Sequence, residues 1–278
     1  MKVLPSLSVF GFLAFAIFSG CKQEAPENPT RMGDSLYFSG RYWTIKKYEN
    51  AQWGPGPNYF SAHPSDVWVD SKDQLHLTIS NRDNKWFSTE VVSTDTFGYG
   101  TYRFTIIGDM YEIPKNVTLG LFTWDDNTFL EAANSEVDIE LSKWGADTVQ
   151  TLNYAVQPVA FGPTFPERNY RAQLEDPTIV DGVTTHEFTW KPNIITWRSY
   201  AGEERTDKNL IAEWSFDDSM PARVKNENGN SSKPITVPKP GNTTNARMNY
   251  WIHTWINAAP TSGEREEVII KSFEFEPL

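Results

Sequence analysis

From Arg41 to the C-terminus, apolar and polar residues alternate in short runs broken by Gly, Pro, Asn and Asp. There is no amphipathic helix of useful length and no repeat at a fixed period. Val67-Trp68-Val69 and Leu75 to Ile79 flank the turn formers Asp70-Ser71-Lys72-Asp73, which predicts a hairpin. Tyr102, Phe104 and Ile106 alternate with Thr101, Arg103 and Thr105. Val117 to Trp124, His186 to Trp190, Ile194 to Tyr200, Arg247 to Thr254 and Glu267 to Phe275 read as further strands. The set is too large for a seven-stranded immunoglobulin module, so an all-β, two-sheet sandwich of jelly-roll type is expected. Ala155 to Thr185 and Ala201 to Gly241 are polar and read as long connections.

The first residues follow a different pattern. Lys2 precedes an apolar stretch from Leu7 to Phe18, which fits a signal h-region and is short for a membrane span. It ends in Phe18-Ser19-Gly20-Cys21, which resembles a bacterial lipoprotein signal whose cysteine is the lipid attachment site; Phe18 departs from the usual leucine. The alternatives are simple secretion and a buried free cysteine. Residues 22–34, with Pro26 and Pro29, read as a flexible tether. The expected organisation is a signal peptide over 1–20, a tether over 21–34 and one domain over 35–278. The expected place is outside the cytoplasm, held to the cell envelope, at the outer membrane or cell surface, through lipidated Cys21, or secreted if that signal fails.

Composition narrows the function. The 278 residues carry 36 acidic and 25 basic side chains, a net charge of −11, so no broad basic surface exists to neutralise phosphates and nucleic acid is excluded as a partner. With 39% hydrophobic and 22% charged residues the chain has a globular balance. A single cysteine removes a stapled scaffold and a cysteine zinc site. Eleven Trp, 11 Tyr and 17 Phe exceed the usual needs of a core and offer flat surfaces on which sugars stack.

The chemistry lies in Glu136-Val137-Asp138-Ile139-Glu140. On a strand the three acids share one face, while Val137, Ile139 and Leu141 enter the core. Massing three carboxylates costs self-repulsion. A solvated acidic face or a calcium site would also use such a cluster. Retaining glycoside hydrolysis needs one carboxylate as nucleophile and a second as acid and then base, about 5 to 5.5 Å apart. The Cα atoms of Glu136 and Glu140 are about 13 Å apart at strand spacing, so both side chains must lean over Asp138. Asp138 is expected to tune Glu136, and two neighbouring anions to keep Glu140 protonated as the acid.

These residues resemble glycoside hydrolase family 16, the concanavalin A-like jelly rolls that include lichenases and laminarinases, over roughly Leu36 to Phe275. The family's Glu-x-Asp-x-Glu motif is matched at Glu136, Asp138 and Glu140, which the resemblance assigns as nucleophile, assisting acid and acid/base. Leu121-Phe122-Thr123-Trp124 resembles the strand that precedes the catalytic one. Thr89-Glu90-Val91, Phe97 to Tyr102, Asn153-Tyr154, His186 to Trp190 and Met248-Asn249-Tyr250-Trp251 match further segments in order. The resemblance implies a concave groove, with Asn58, Glu90, Trp124, Asn153, Tyr154, Asn249 and Trp251 as substrate-binding residues. It implies no cofactor and leaves room for a structural calcium on the convex side, although no dedicated ligand loop is evident. For Trp124, core packing and stacking stay open, since Phe122 shares its face. Trp43, Trp68, Trp190 and Trp197 are assigned to the core. His63, His76, His186 and His253 show no metal spacing, and Gly98-Tyr99-Gly100 reads as a turn requirement.

The absence of an extra residue between Asp138 and Glu140 resembles lichenases rather than many laminarinases. Asn134 and Ser135 depart from the aromatic residue and acid that lichenases carry there. The expectation is a monomeric, endo-acting, retaining glycoside hydrolase acting on a β-1,3-1,4-glucan or another β-linked polysaccharide. A non-catalytic glycan-binding lipoprotein, a transglycosylase and a structural surface protein are the alternatives.

Overall fold

In the computed structural model, described residues are 31–129, 133–157, 168–174, 179, 181–219, 222–225, 231–253 and 258–278, with only the backbone described for 222–225 and 231–235. The expected signal peptide over 1–20 and Cys21 lie outside them. Among the described residues, twenty strands follow in chain order. They are β1 Arg31–Met32, β2 Ser35–Phe38, β3 Arg41–Ile45, β4 Tyr48–Trp53, β5 Asn58–Phe60, β6 Val67–Val69 and β7 Leu75–Arg82. Next come β8 Lys85–Ser93, β9 Gly100–Ile107, β10 Val117–Trp124, β11 Val137–Ser142, β12 Leu152–Val156, β13 Asn169–Ala172 and β14 Val183–Lys191. The last are β15 Ile194–Ala201, β16 Leu210–Asp217, β17 Ala222–Lys225, β18 Ser231–Ile235, β19 Asn245–Ile252 and β20 Glu266–Pro277.

Pairings resolve into two antiparallel sheets. The front sheet runs β1-β2-β3-β8-β19-β10-β11-β12-β13. The back sheet runs β6-β7-β20-β9-β14-β15-β16. They are joined where β7 turns into β8, while β5 lies parallel to β8. Inward residues of both sheets fill the space between them: Leu119, Leu121, Val137, Ile139 and Leu141 from the front, Phe104, Phe188, Trp190 and Trp197 from the back. Alternation therefore does what the sequence implies in β10, β11 and β19, whose apolar residues enter this core at every second position.

The hairpin Val67 to Ile79 forms as expected, its turn tied by Asp70 Oδ1 accepting from the N–H groups of Lys72 (2.8 Å) and Gln74 (2.9 Å). Four expectations need correction. Arg31 and Met32, assigned to the tether, pair with β2, and the Arg31 guanidinium donates to the carbonyls of Val67 (2.6 Å) and Ala62. The two long connections contain strands: β13 in the first, β16, β17 and β18 in the second. Trp68 is half-buried and outside the core, stacked on the His76 ring at 4.4 Å, whereas Trp43, Trp190 and Trp197 are fully buried. Gly100 is required by close approach rather than by a turn: a Cβ there would lie 2.5 Å from the Glu276 carbonyl oxygen.

Candidate active site

Glu136 enters β11 from a turn in which Ala133, Asn134 and Ser135 all have positive φ, at 45°, 62° and 51°. Such a run of left-handed non-glycine residues is strained and persists only when its surroundings hold it. They do. The Asp125 N–H donates to the Asn134 carbonyl at 2.6 Å, Thr123 Oγ1 to the Ser135 carbonyl at 2.8 Å, and Ser135 Oγ to the Lys239 carbonyl at 2.8 Å. Asp125 itself binds Thr243 Oγ1 (2.6 Å) and Thr244 Oγ1, which holds its carboxyl below the usual range. Asn134 and Ser135 thus spend their side chains on locking the approach to Glu136.

Within β11, Asp138 faces Phe122 and Glu140 faces Gly120 across β10, while Arg247 and Asn249 face the same two β10 residues from β19. Glu90 opposes Asn249 from β8. These rows make the floor of a cleft open to solvent, with about 740 Å³ of empty volume, into which Glu136, Asp138, Glu140, Glu90, Trp124, Asn249 and Trp251 all project. The remaining walls include Lys46, Trp53, Asp126 and Arg247.

The trio of acids is pushed toward the protonated state. Glu136 and Glu140 are raised well above the ordinary glutamate value, by burial first and then by the neighbouring carboxylates. Asp138, only 3% exposed, is raised to about 7 by burial, against which a hydrogen bond from Gln157 Nε2 (3.0 Å) acts. Gln157 also donates its backbone N–H to the Glu136 carbonyl at 3.1 Å. Its own carbonyl accepts from the fully buried Arg168 at 2.7 Å. Crowded carboxyls of this kind release their protons in steps that belong to the group.

Trp124 turns its ring to the cleft, with Nε1 donating to Asp126 at 2.7 Å and the Arg247 guanidinium 5.4 Å from the ring centre, which settles its open assignment in favour of the cleft. Glu90 is buried, with Oε2 accepting from Lys46 Nζ (2.9 Å) and Asn249 Nδ2 (3.4 Å). Glu90 Oε1 and Asn249 Oδ1 are buried without a hydrogen-bond donor, and the Arg247 guanidinium lies 3.7 Å from Glu90 Oε1. Asn249 finds room because Gly120 has no side chain: a Cβ there would lie 2.5 Å from Asn249 Oδ1.

Three expected binding residues are elsewhere. Tyr154 faces the core, where its hydroxyl donates to Ser199 Oγ at 2.6 Å and its ring stacks on Trp197. Asn153 sits beside Glu140 but is covered, with Nδ2 turned onto the carbonyls of Glu140, Ser142 and Thr151. Asn58 braces the rim, donating to the Pro55 and Ile252 carbonyls at 2.8 Å each. Lys46, Trp53, Asp126, Arg247 and Gln157 were missed by the sequence reading. Only Arg247 carried a signal, sharing the strand parity of Asn249 and Trp251. Among the described residues, no group of three His, Cys, Asp or Glu is spaced to hold a metal ion.

No protein-family model and no curated sequence matches the chain. Solved structures do. A β-glucanase of Bacillus licheniformis superposes with a TM-score of 0.56 at 18% identity, covering 89% of this chain and 100% of its own. The fold is that of the family 16 β-glucanases. A family 16 protein of the Bacteroides ovatus mixed-linkage glucan locus, solved with a product, gives 0.55 at 18% identity, over 84% of this chain and 94% of its own. The same β-glucanase fold is also worn by an immunostimulatory antigen and pseudo β-1,3-glucanase of Mycobacterium tuberculosis, at 0.55 and 15% identity, over 85% of this chain and 91% of its own.

Proposed function

We propose that this chain is a retaining, endo-acting glycoside hydrolase that cleaves a β-linked glucan, a mixed β-1,3-1,4-glucan being the first choice. The observation that carries the reading is the convergence of Glu136, Asp138 and Glu140 on one cleft that Trp53, Trp124 and Trp251 also line. Glu136 attacks the anomeric carbon as Glu140 gives its proton to the departing glycosidic oxygen. A water, deprotonated by Glu140, then releases the sugar from Glu136 with its configuration retained.

The two outer acids differ in their cations. Half-buried Arg247 favours charge on Glu136, whereas the cation favouring charge on Glu140 is the exposed Arg171, where solvent screens it. That difference supports Glu136 as the anion and Glu140 as the proton carrier. Once Glu136 is esterified, the repulsion on Glu140 falls and it becomes a base. Export and lipid anchoring through Cys21 belong to the same reading and rest on the leader pattern alone.

The test is azide rescue of Glu136→Ala on mixed-linkage glucan oligosaccharides. A glycosyl azide of inverted anomeric configuration is the expected product. Undiminished hydrolysis by the variant, or a glucan that binds the native protein without yielding new reducing ends, would end the hydrolase reading.

A further inference from the structure

The front sheet continues past the cleft. Beyond β8, Thr44 opposes Val92 and Tyr42 opposes Tyr37, so these β3 and β2 side chains emerge on the face that carries the acids. One row can be followed across the strands. Trp124 opposes Asn245 in β19, and the β19–β8 register carries that row to Thr94. The Thr94 N–H donates to the Tyr42 carbonyl at 3.0 Å, and Tyr42 opposes Tyr37. The two tyrosine rings meet edge to face, 5.1 Å between centres and 64° between planes. They are 53% and 40% exposed, on a sheet whose opposite face is core, and Met32 beside them is 73% exposed.

Exposed rings fixed in a pair on a flat strand surface mark a binding face when they adjoin a ligand groove. Along this row only Asn245 and Thr94 stand between Trp124 and the pair: Asn245 is half-buried, its Oδ1 accepting from Arg247 Nε at 2.8 Å, and Thr94 is exposed. Two rows away, Lys46 Nζ donates to the Gly54 carbonyl (2.6 Å) and ties the Trp53–Pro55 rim to Glu90. An extended chain leaving Trp124 along its row therefore reaches the tyrosines over one asparagine and one threonine. Three strand spacings separate Trp124 from Tyr42, about 14 Å, or about three sugar units.

We propose that Tyr37 and Tyr42 form a distal glycan-binding ledge that holds the same polysaccharide chain beyond the cleft. The inference rests on the glycan reading of the site and extends it to a preference for long chains. The occupant is a neutral β-glucan polymer, argued from continuity with the cleft face.

The test compares the native protein with Tyr37→Ala/Tyr42→Ala by native-gel retardation in mixed-linkage β-glucan, and by hydrolysis of that polymer against a glucan tetrasaccharide. The double variant should bind the polymer about three- to tenfold more weakly and show a correspondingly higher KM on it, with tetrasaccharide kinetics unchanged. If its Tm falls, Tyr37→Ser alone is read in the same way. Equal loss on polymer and tetrasaccharide, or unchanged retardation and KM, overturns the ledge. So does a double variant whose only change is loss of self-association or of binding to lipid vesicles. A native protein that is retarded but hydrolyses nothing overturns the hydrolase reading alone, and weaker retardation of the double variant then still supports the ledge. Native protein retarded by neither mixed-linkage glucan, laminarin nor xyloglucan overturns both.

Discussion

At the scale of single residues, the cleft is shaped as much by a missing side chain as by those present. Gly120 lies between Glu140 and Asn249 in adjacent strands, and the space its Cβ would fill is taken by the Asn249 carbonyl. Asn249 Nδ2 leans the other way, onto Glu90, which Lys46 anchors. Gly120→Ala should therefore displace Asn249 while leaving the strand's backbone pairing intact. The expected result is a fall of about tenfold in kcat/KM, or about 1.4 kcal/mol, with little change in Tm. In a double-mutant cycle Asn249→Ala should absorb most of that loss, because the clashing partner is already gone. Additive losses in the cycle would show that Gly120 acts on something other than Asn249. The contact was not legible from the chain, where Gly120 is an ordinary small residue within a strand. Asn249, by contrast, was found through the resemblance carried by Met248-Asn249-Tyr250-Trp251.

At the scale of elements, the acid strand is held from behind by the other sheet. Trp197 of β15 crosses the core and donates its indole N–H to the Asp138 carbonyl at 3.0 Å. Beside it, Tyr154 of β12 donates to Ser199 Oγ, which lies 2.7 Å from His186 Nδ1, while His186 Nε2 lies 2.9 Å from Thr184 Oγ1. This buried chain of polar groups ties β12, next to β11, to β14 and β15. Trp197→Phe keeps most of the packing and removes the one bond. It should lower stability by about 0.5–1.5 kcal/mol, the net worth of one buried hydrogen bond. It should also reduce kcat more than it raises KM, since β11 would lose its fixed depth. A variant with unchanged Tm and unchanged kcat would remove Trp197 as a brace. The alternation in β10, β11 and β19 was legible because each strand buries one face. The strands inside the two polar connections were not. Asn169–Ala172 is short and half-exposed at a sheet edge, and β16 mixes Ala212, Trp214 and Phe216 with charged neighbours. Asn153 and Tyr154 show the limit of matching a pair by order alone: Tyr154 faces the core and Asn153 is covered.

At the scale of the whole molecule, the buried titratable groups give stability a pH dependence with two opposing arms. His186 is buried neutral, its value lowered to about 3 from 6.5. As pH falls below 6.5 the unfolded chain takes a proton that the fold refuses, so this arm loses stability on acidification. The carboxyl trio works in the opposite sense. Asp138 is raised from 3.8 to about 7, with Glu136 and Glu140 raised as well. Between pH 3.8 and about 7 the unfolded Asp138 is ionised while the folded one retains its proton. Folding then binds the extra proton, and stability falls as pH rises through that window. The two arms offset one another below 6.5, and above it only the carboxyl arm remains. Asp138→Asn keeps an oxygen to accept from Gln157 and removes the central charge. Its Tm should exceed that of the native chain by about 3–8 °C at pH 7.5, and the gap should close to about 1–2 °C at pH 4, where Asp138 is protonated in the folded chain and about two-fifths protonated in the unfolded one. Calorimetry of both proteins at the two pH values decides it. An equal shift at both would mean that the substitution acts through packing, and the cleft would then lack the crowding of charge that makes one of its acids a proton donor at neutral pH.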